Sequence, residues 1–467
     1  MLEEYIQNKR DDIIGYTCEL IKFPSIATYQ PENKEMPFGK ACHDVLEYTL
    51  ALGKKLGFRT KNIDGYCGYI EFGEGEELIG LVGHLDVVPA TNDWTYSPFI
   101  PSMIDGKIYG RGAVDDKGPV IATLYAMKAV ADTCHIKKRV RLILGLDEEK
   151  TWHCIKRYKK TEEIPSIGFS PDAEFPVIYA EKGNLTLTLN QVNHIDRDIL
   201  ITDIDCANNA NNVVPKYCSV VLELSSNINV KEFIDKVHER LNDYHYDTID
   251  VLMIDNAHVK LISHGTAAHA SEPQLGKNAI SPLLVILDDV FLFYKESFVL
   301  LDVFKKYIGT QLDGKDLGIS CEDESGNLTL NVGNFQFVDD DIQITFNLRV
   351  PTSVSLDSII DRFQQIANSQ DELRLKILDR HEPLSIPKDS FLVSTLCGLY
   401  NEQMKTKEEP LAIGGGTYAK AFPNFVAFGP AFPGEENMCH QADEYITISH
   451  LITSSILYAK AIKKLAE

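Results

Sequence analysis

Two apolar runs, ELIGLVGHLDVV and RVRLILGLDEE, do most to limit what this chain can fold into. The second has the look of a strand buried on both faces of an α/β sheet, and the first also reads as an extended, buried segment. Each run ends in ionisable groups: His84 and Asp86 in the first, Asp147, Glu148 and Glu149 in the second. Between them, Gly118 to Asp132 carries Val120, Leu124, Met127 and Ala131 at helical spacing, with Ile121 beside them. Asp11 to Phe23 and Phe38 to Gly57 also read as helices, and GYIEFG reads as a strand. Repeated strand–helix–strand order predicts an α/β fold, a mostly parallel sheet flanked by helices.

The pattern changes near Asn184. NLTLTLNQV, SVVLELSS, VKLISH, LTLNVGNFQFV and DIQITFNLRVP alternate as half-buried strands, while VKEFIDKVHERLND and LDSIIDRFQQIANS are amphipathic helices. That is α+β in character. FLVSTLCGLYNEQM then returns to the first kind of structure. A chain of 467 residues exceeds one ordinary core. The expected organisation is one domain split into 1–184 and 385–467, with a second, α+β domain inserted at 185–384.

Alternate residues of a strand share a face, so His84 and Asp86 point the same way wherever the extended chain persists. Taken alone, the pair fits a buried neutral imidazole bonded to a carboxylate. It equally fits a metal ligand whose partner carboxylate fixes the ring. The rest of the chain weighs on the choice. GRGAVDDKGP gives Asp115 and Asp116 before a helix, where a helix cap is the ordinary reading; GFSPDAEFP gives Asp172; NMCHQADEY gives His440. In such sheets ligands collect at the carboxyl ends of the strands. Carboxylates brought together there would repel one another severely without cations between them. Two imidazoles with several carboxylates suit zinc or a similar first-row ion, and a bridging carboxylate would make a dinuclear hydrolase site. Adjacent Glu148 and Glu149 diverge at a strand end, so one can bind metal while the other stays free as a base.

GHLDVVPA, DWTYSPF, DGKIYGRGAVDDKGP, GLDEE, GFSPDAEFPVIYAEKG, HASEPQLGKNA, GGGTYAKAFPN and HQADEY span nearly the whole chain. They closely resemble the dinuclear zinc metallopeptidases that include carboxypeptidase G, aminoacylase-1-like enzymes and bacterial dipeptidases. Among these the likeness is strongest to the carnosinase-like Xaa-His dipeptidase (PepV) group. The resemblance implies that the split domain is catalytic and the insert a lid. It implies two divalent metal ions, zinc first with manganese or cobalt as alternatives. His84, Asp115 and Asp172 would hold one ion and Asp115, Glu149 and His440 the other, with a cis Asp115–Asp116 peptide. Asp86 would orient His84, and Glu148 would be the general base. His269, in HGTAAHASEP, resembles an oxyanion-stabilising histidine, whereas His264 keeps an ordinary structural reading. Asn212, Arg349 and the glycines Gly415 and Gly416 of GGGT resemble substrate-contacting residues. Cys154 and Cys439 read as ordinary buried thiols. Lys150-Thr151-Trp152 and the NNAN loop before Asn212 depart from the family pattern and bear on loop shape and specificity.

The implied activity is hydrolysis of unblocked dipeptides. The alternatives are an aminoacylase or N-acyl amino acid deacylase on the same site, or an inactive metal-binding relative. A net charge of −22 argues against nucleic acid or an anionic membrane as partner. SPLLVILDDVFLFYKESFVLL is interrupted by Asp288, Asp289, Lys295 and Glu296 and reads as a buried helix, not a membrane span. The ten cysteines form no CxxC pair, and MLEEYIQNKRDDIIGY has no apolar signal core, so reduced thiols in a cytoplasmic enzyme are expected. An insert of this size could cover the site within one chain, which predicts a monomer.

Overall fold

The run Leu78–His84 is a strand buried along its whole length. It lies parallel to Arg139–Gly145 on one side and to Ile167–Ser170 on the other. The computed structural model describes residues 1–192, 197–207, 210–339 and 341–467. Asn208 and Asn209 of the NNAN loop lie outside the described residues.

The chain forms two compact units, 1–180 with 384–411 and 416–467, and 181–383 with 412–415. In the first unit one sheet runs in the order Arg59–Ile63, Cys67–Phe72, Arg139–Gly145, Leu78–His84, Ile167–Ser170, Phe425–Ala427. The last four of these strands are mutually parallel, and the outer pairs are antiparallel. Phe425–Ala427 comes from the far end of the chain, and its Ala427 also pairs antiparallel with Ile178. Helix Lys117–Thr133 connects Leu78–His84 to Arg139–Gly145, and it is buried from Lys117 to Met127. It packs on Ile448–Ala466, the last helix of the chain.

Two glycines of the central strand are there for space. A Cβ on Gly80 would lie 2.5 Å from Phe425 and 2.6 Å from Pro165. On Gly83 it would lie 2.5 Å from the Asp116 carboxylate and 2.7 Å from Val120. The close approach at Gly83 lets the helix start, with its acidic pair, sit against the strand end.

The second unit holds two four-stranded antiparallel sheets. One runs Thr329–Val338, Asp341–Val350, Gly183–Val192, Leu373–His381; the other runs Ile199–Asp205, Tyr217–Leu224, His258–His264, Ile249–Met253. Helices Val230–Tyr244 and Leu356–Asn368 bury the apolar stripes their sequences predict, Phe233, Val237 and Leu241 in one, Ile359, Phe363 and Ile366 in the other. The single buried helix expected over SPLLVILDDVFLFYKESFVLL is two helices, Ile280–Phe293 and Val299–Tyr307. The break falls where the apolar run meets Lys295, whose φ of 60° is left-handed and incompatible with a continuing helix. Among the described residues no helix is long and apolar enough to cross a membrane.

Candidate metal centre

Three neighbouring parallel strands finish at the same edge of the sheet. His84 closes one, Asp147-Glu148-Glu149 follows Arg139–Gly145, and Asp172 follows Ile167–Ser170. Asp115 arrives from the turn before helix Lys117–Thr133, and His440 from the segment after Phe425–Ala427. Residues more than 350 positions apart in sequence therefore meet at one strand edge.

Asp115 is the hub. Its Oδ1 lies 2.9 Å from His84 Nε2, and its Oδ2 lies 3.1 Å from His440 Nε2. Asp172 Oδ2 is 3.6 Å from His84 Nε2 on one side, and Glu149 Oε2 is 3.0 Å from His440 Nε2 on the other. Donor–donor separations of this size are those of atoms sharing one small cation at about 2.0–2.2 Å. Among the described residues, two groups of three candidate donors lie within 4.8 Å of one another: His84, Glu148 and Asp172, and His84, Asp115 and Glu149. The donor set, imidazole nitrogen plus carboxylate oxygen, fits a borderline-soft divalent ion. The Asp115–Asp116 peptide is cis.

Electrostatics point the same way. Burial opposes protonation of His84, yet Asp172, Asp115 and Asp86 outweigh it and push its pKa well above the ordinary imidazole value. His440, whose side chain is 42% exposed, is likewise held protonated against burial by Glu149 and Asp115. Burial tends to raise Asp115, but its two imidazole contacts hold it low. Glu149 touches only one imidazole; burial and the Asp115 charge push it up. Burial, followed by Asp172 and Glu149, pushes Glu148 well up, opposed by His84. So many mutually opposed carboxylates around two imidazoles form a seat that positive charge would relax.

The sheet edge also explains the neighbours. Asp86 touches His84 Nδ1 twice, through its main-chain carbonyl at 3.0 Å and through Oδ1 at 3.4 Å. A ring that donates Nδ1–H to that carbonyl leaves Nε2, on the Asp115 side, as the free nitrogen when neutral. The Asp86 carboxylate has a second task, accepting the main-chain N–H groups of Glu148 and Glu149, each at 3.1 Å. Asp147 is buried and closes the next turn, accepting from Thr151 N–H and, at 3.0 Å, from His153 N–H. Asp116 makes no capping hydrogen bond to its helix. Its Oδ2 instead accepts the His84 main-chain N–H at 3.0 Å, so the cap expected there is a brace on the strand end.

Sequence reasoning gave no role to Arg111 or Glu444, which are almost wholly buried. Arg111 Nη1 donates to Glu444 Oε2 at 2.7 Å, and Nη2 reaches the His440 carbonyl at 3.3 Å. Glu444 Oε1 accepts from Val114 N–H at 3.0 Å and Asp115 N–H at 3.3 Å. The pair ties the Asp115 turn to the His440 segment. Its signal lay in GRGAVDD and HQADEY, two charged residues beside two candidate ligands. Trp152 was read only as a departure. It adopts φ 57° before helix His153–Thr161, donates Nε1–H to the Glu148 carbonyl at 2.8 Å and packs edge-on against Tyr418. Cys154 is buried and its Sγ lies 2.8 Å from the Tyr418 hydroxyl; Cys439 is part-buried, and both thiols are free.

In the second unit the candidate substrate residues gather around the stretch 269–271. Val213 bridges His269, and the Asn212 carbonyl accepts the Ala270 N–H at 2.9 Å. His269 Nδ1 is 2.6 Å from Ser271 Oγ. A Cβ on Gly414, next to Gly415, would lie 3.0 Å from the Ser271 side chain. Thr329, opposite Arg349 in its sheet, reaches the Ala270 carbonyl with its hydroxyl at 3.4 Å. Arg349 is 4% exposed, its Nε has no hydrogen-bond acceptor among the described residues, and burial lowers its pKa to about 10 against the pull of Asp379. Gly416 belongs to the first unit, where its α-carbon faces Lys420. His264 is exposed and pairs with Asp250 at 3.2 Å, an ordinary surface contact.

The chain is similar over its whole length to known proteins. The family model "Peptidase family M20/M25/M40" matches residues 80–464. A Bacillus subtilis protein named "Putative dipeptidase YtjP" is 38% identical over 471 residues, covering 100% of this chain and 99% of its own. A Staphylococcus epidermidis protein named "Putative dipeptidase" is 34% identical over 466 residues, covering 98% and 97%. Among solved structures, human carnosine dipeptidase 1 superposes with a TM-score of 0.60 at 15% identity, covering 100% of this chain and 98% of its own. The dipeptidase Dug1p of Saccharomyces cerevisiae does so at 0.60 and 11%, covering 100% and 98%. At those identities the structures speak for the fold.

Proposed function

The chain belongs to peptidase family M20/M25/M40, a family of hydrolases, and from that membership we propose that it is a metal-dependent dipeptidase acting on unblocked dipeptides. The observation that carries the reading is Asp115 presenting one oxygen to each of two imidazoles, with Asp172 beside His84 and Glu149 beside His440. Its full-length relatives named as dipeptidases supply the substrate class.

We assign His84, Asp115 and Asp172 to one divalent ion and Asp115, Glu149 and His440 to the other, zinc first. Bound ions of this kind lower the pKa of water towards about 7 and polarise a carbonyl oxygen. Glu148, whose burial favours holding a proton, would take the proton of the attacking water on its carboxylate and pass it to the leaving amine. Asp86 would keep that carboxylate aimed by holding the Glu148 N–H, while keeping the His84 ring in its ligating tautomer. Roles in the second unit follow the family resemblance. His269 would stabilise the oxyanion, and Arg349, with its unused buried Nε, would grip the terminal carboxylate. Asn212, Gly415 and Gly416 would line the substrate. We further propose a monomer in the cytoplasm.

The test is a panel of dipeptides, tripeptides and N-acyl amino acids, run on metal-stripped protein refilled with zinc, manganese or cobalt. Chelation should abolish turnover and refilling should restore it, with dipeptides cleaved well and N-acetyl dipeptides hardly at all. Full turnover after verified metal removal overturns the metallohydrolase reading. Equal kcat/KM for a dipeptide and its N-acetyl form replaces it with the aminoacylase reading.

A further inference from the structure

Cys206 and Cys218 face each other in the second unit. Strands Ile199–Asp205 and Tyr217–Leu224 are antiparallel, with Asp205 opposite Ser219, so residues 206 and 218 are the next opposed pair. Directly opposed residues hold their Cβ atoms about 4.5–5.5 Å apart on one face of the sheet. Disulfides join residues whose Cβ atoms stand about 3.5–4.5 Å apart, next to the lower end of that range. The two sulfurs are already in contact, Cys206 Sγ to Cys218 Sγ at 2.8 Å. A buried thiol is ordinarily an inert small apolar group. Here two of them are aimed at one another, and both are buried, Cys206 at 6% exposure and Cys218 at none.

We propose that Cys206 and Cys218 are a redox-active dithiol that closes reversibly into an intrachain disulfide. With a peroxide as oxidant, the Cys206 thiolate attacks a peroxide oxygen, the O–O bond breaks, and one water leaves after protonation. The Cys206 sulfenic acid is then attacked by the Cys218 sulfur; the S–S bond forms, the S–O bond breaks, and a second water leaves. Two thiols are oxidised by two electrons, and one peroxide is reduced to two waters. A low-molecular-weight disulfide does the same by two thiol exchanges, releasing two small thiols. Cys206, the more exposed residue of the two, reacts first in either route.

The bond would close the segment that carries Asn212 and Val213. That segment is bound to the 268–270 stretch through Val214 N–H to the Ala268 carbonyl at 2.9 Å and through the Asn212–Ala270 and Val213–His269 contacts. A closed loop restricts what its residues can sample when they detach. Oxidation should therefore stiffen the strip that presents Asn212 and His269. Its effect on turnover rests on the roles proposed above for those two residues, but formation of the bond does not.

The experiment is differential alkylation and peptide mapping of the full-length protein, treated with hydrogen peroxide or oxidised glutathione and then with dithiothreitol. Thiols alkylated after unfolding in denaturant should fall from ten to eight. A single linked peptide pair containing Cys206 and Cys218 should appear with the loss of two hydrogens and vanish on reduction. Cys206→Ser and Cys218→Ser should each abolish the linked pair. Amide exchange at 210–216 and 268–270 should slow in the oxidised wild type and not in either variant. A stable glutathione adduct on Cys206 without the internal link, or unchanged exchange in fully linked protein, overturns the proposal. Because mapping and exchange need no turnover, a protein that links but cleaves no dipeptide would fault the dipeptidase reading alone.

Discussion

The Asp86 carboxylate accepts the main-chain N–H of Glu148 at 3.1 Å, and its other oxygen does the same for Glu149. One buried aspartate thereby sets where two consecutive glutamates leave the strand end. Its second contact, to His84 Nδ1, couples the same group to a candidate ligand.

From that arrangement, Glu148→Gln should keep both ions and lose about 10²–10⁴-fold in kcat, the range of a general base. Glu149→Ala should lose one ion per chain. Metal analysis of the purified variants beside their kcat separates the roles. Since Glu148 also lies within ligand reach of His84 and Asp172, loss of metal from the Glu148 variant would reassign it as a ligand.

Removing one member of the Arg111–Glu444 pair leaves the other buried without its partner. Glu444→Ala should cost about 3–5 kcal/mol of stability, as for other broken buried ion pairs. It should also weaken metal binding, because the Asp115 N–H loses its acceptor. Urea unfolding of the metal-free protein, with metal titration of the folded variant, measures the two effects apart.

Trp152→Phe keeps a ring against Tyr418 and deletes the Nε1–H bond to the Glu148 carbonyl. A hydrogen bond of this kind contributes about 0.5–1.5 kcal/mol. If it serves to place Glu148, kcat should fall by no more than about tenfold with KM unchanged. Steady-state kinetics on one dipeptide decides.

Asp288, 4% exposed at its side chain, is pushed up to about 7 by burial and by its hydrogen bond with Asp302, while Lys305 at 3.2 Å pulls it down. The folded protein therefore binds a proton that the unfolded chain, with an aspartate pKa of about 3.9, releases. The stabilisation is full below pH about 4 and is lost as pH rises through about 7, by at most about 4 kcal/mol. Asp288→Asn retains a neutral hydrogen-bonding group and should flatten this part of the pH–stability curve. Urea midpoints of both proteins at pH 5 and pH 8 test it.

The α/β sheet was legible because its strands are buried on both faces and so leave almost uninterrupted apolar runs, as Leu78–His84 and Arg139–Gly145 do. The ionisable ends of those runs made His84, Glu148 and Glu149 visible as well. Arg111 and Glu444 were not legible. A buried ion pair looks in sequence like two surface charges, and its partners are 333 positions apart. Asp116 was misread for a related reason: acidic residues before helices usually cap them, and here the strand end at His84 competes for the carboxylate. The helix break at Lys295 lay hidden inside an apolar stretch because the left-handed backbone falls on an ordinary residue and not on glycine.

Strand Phe425–Ala427 is wedged between Ile167–Ser170 and Ile178, although some 250 residues of chain separate it from both. During synthesis on the ribosome that slot stays open until nearly the whole polypeptide has emerged, and Ile167–Ser170 waits with one edge unpaired. At roughly 5–20 residues per second, the delay lasts on the order of tens of seconds. An open edge of this kind is a template for pairing with other chains. Prematurely terminated chains ending before Phe425 would carry the open edge permanently, which marks them for aggregation or chaperone capture, not for release as a partial enzyme.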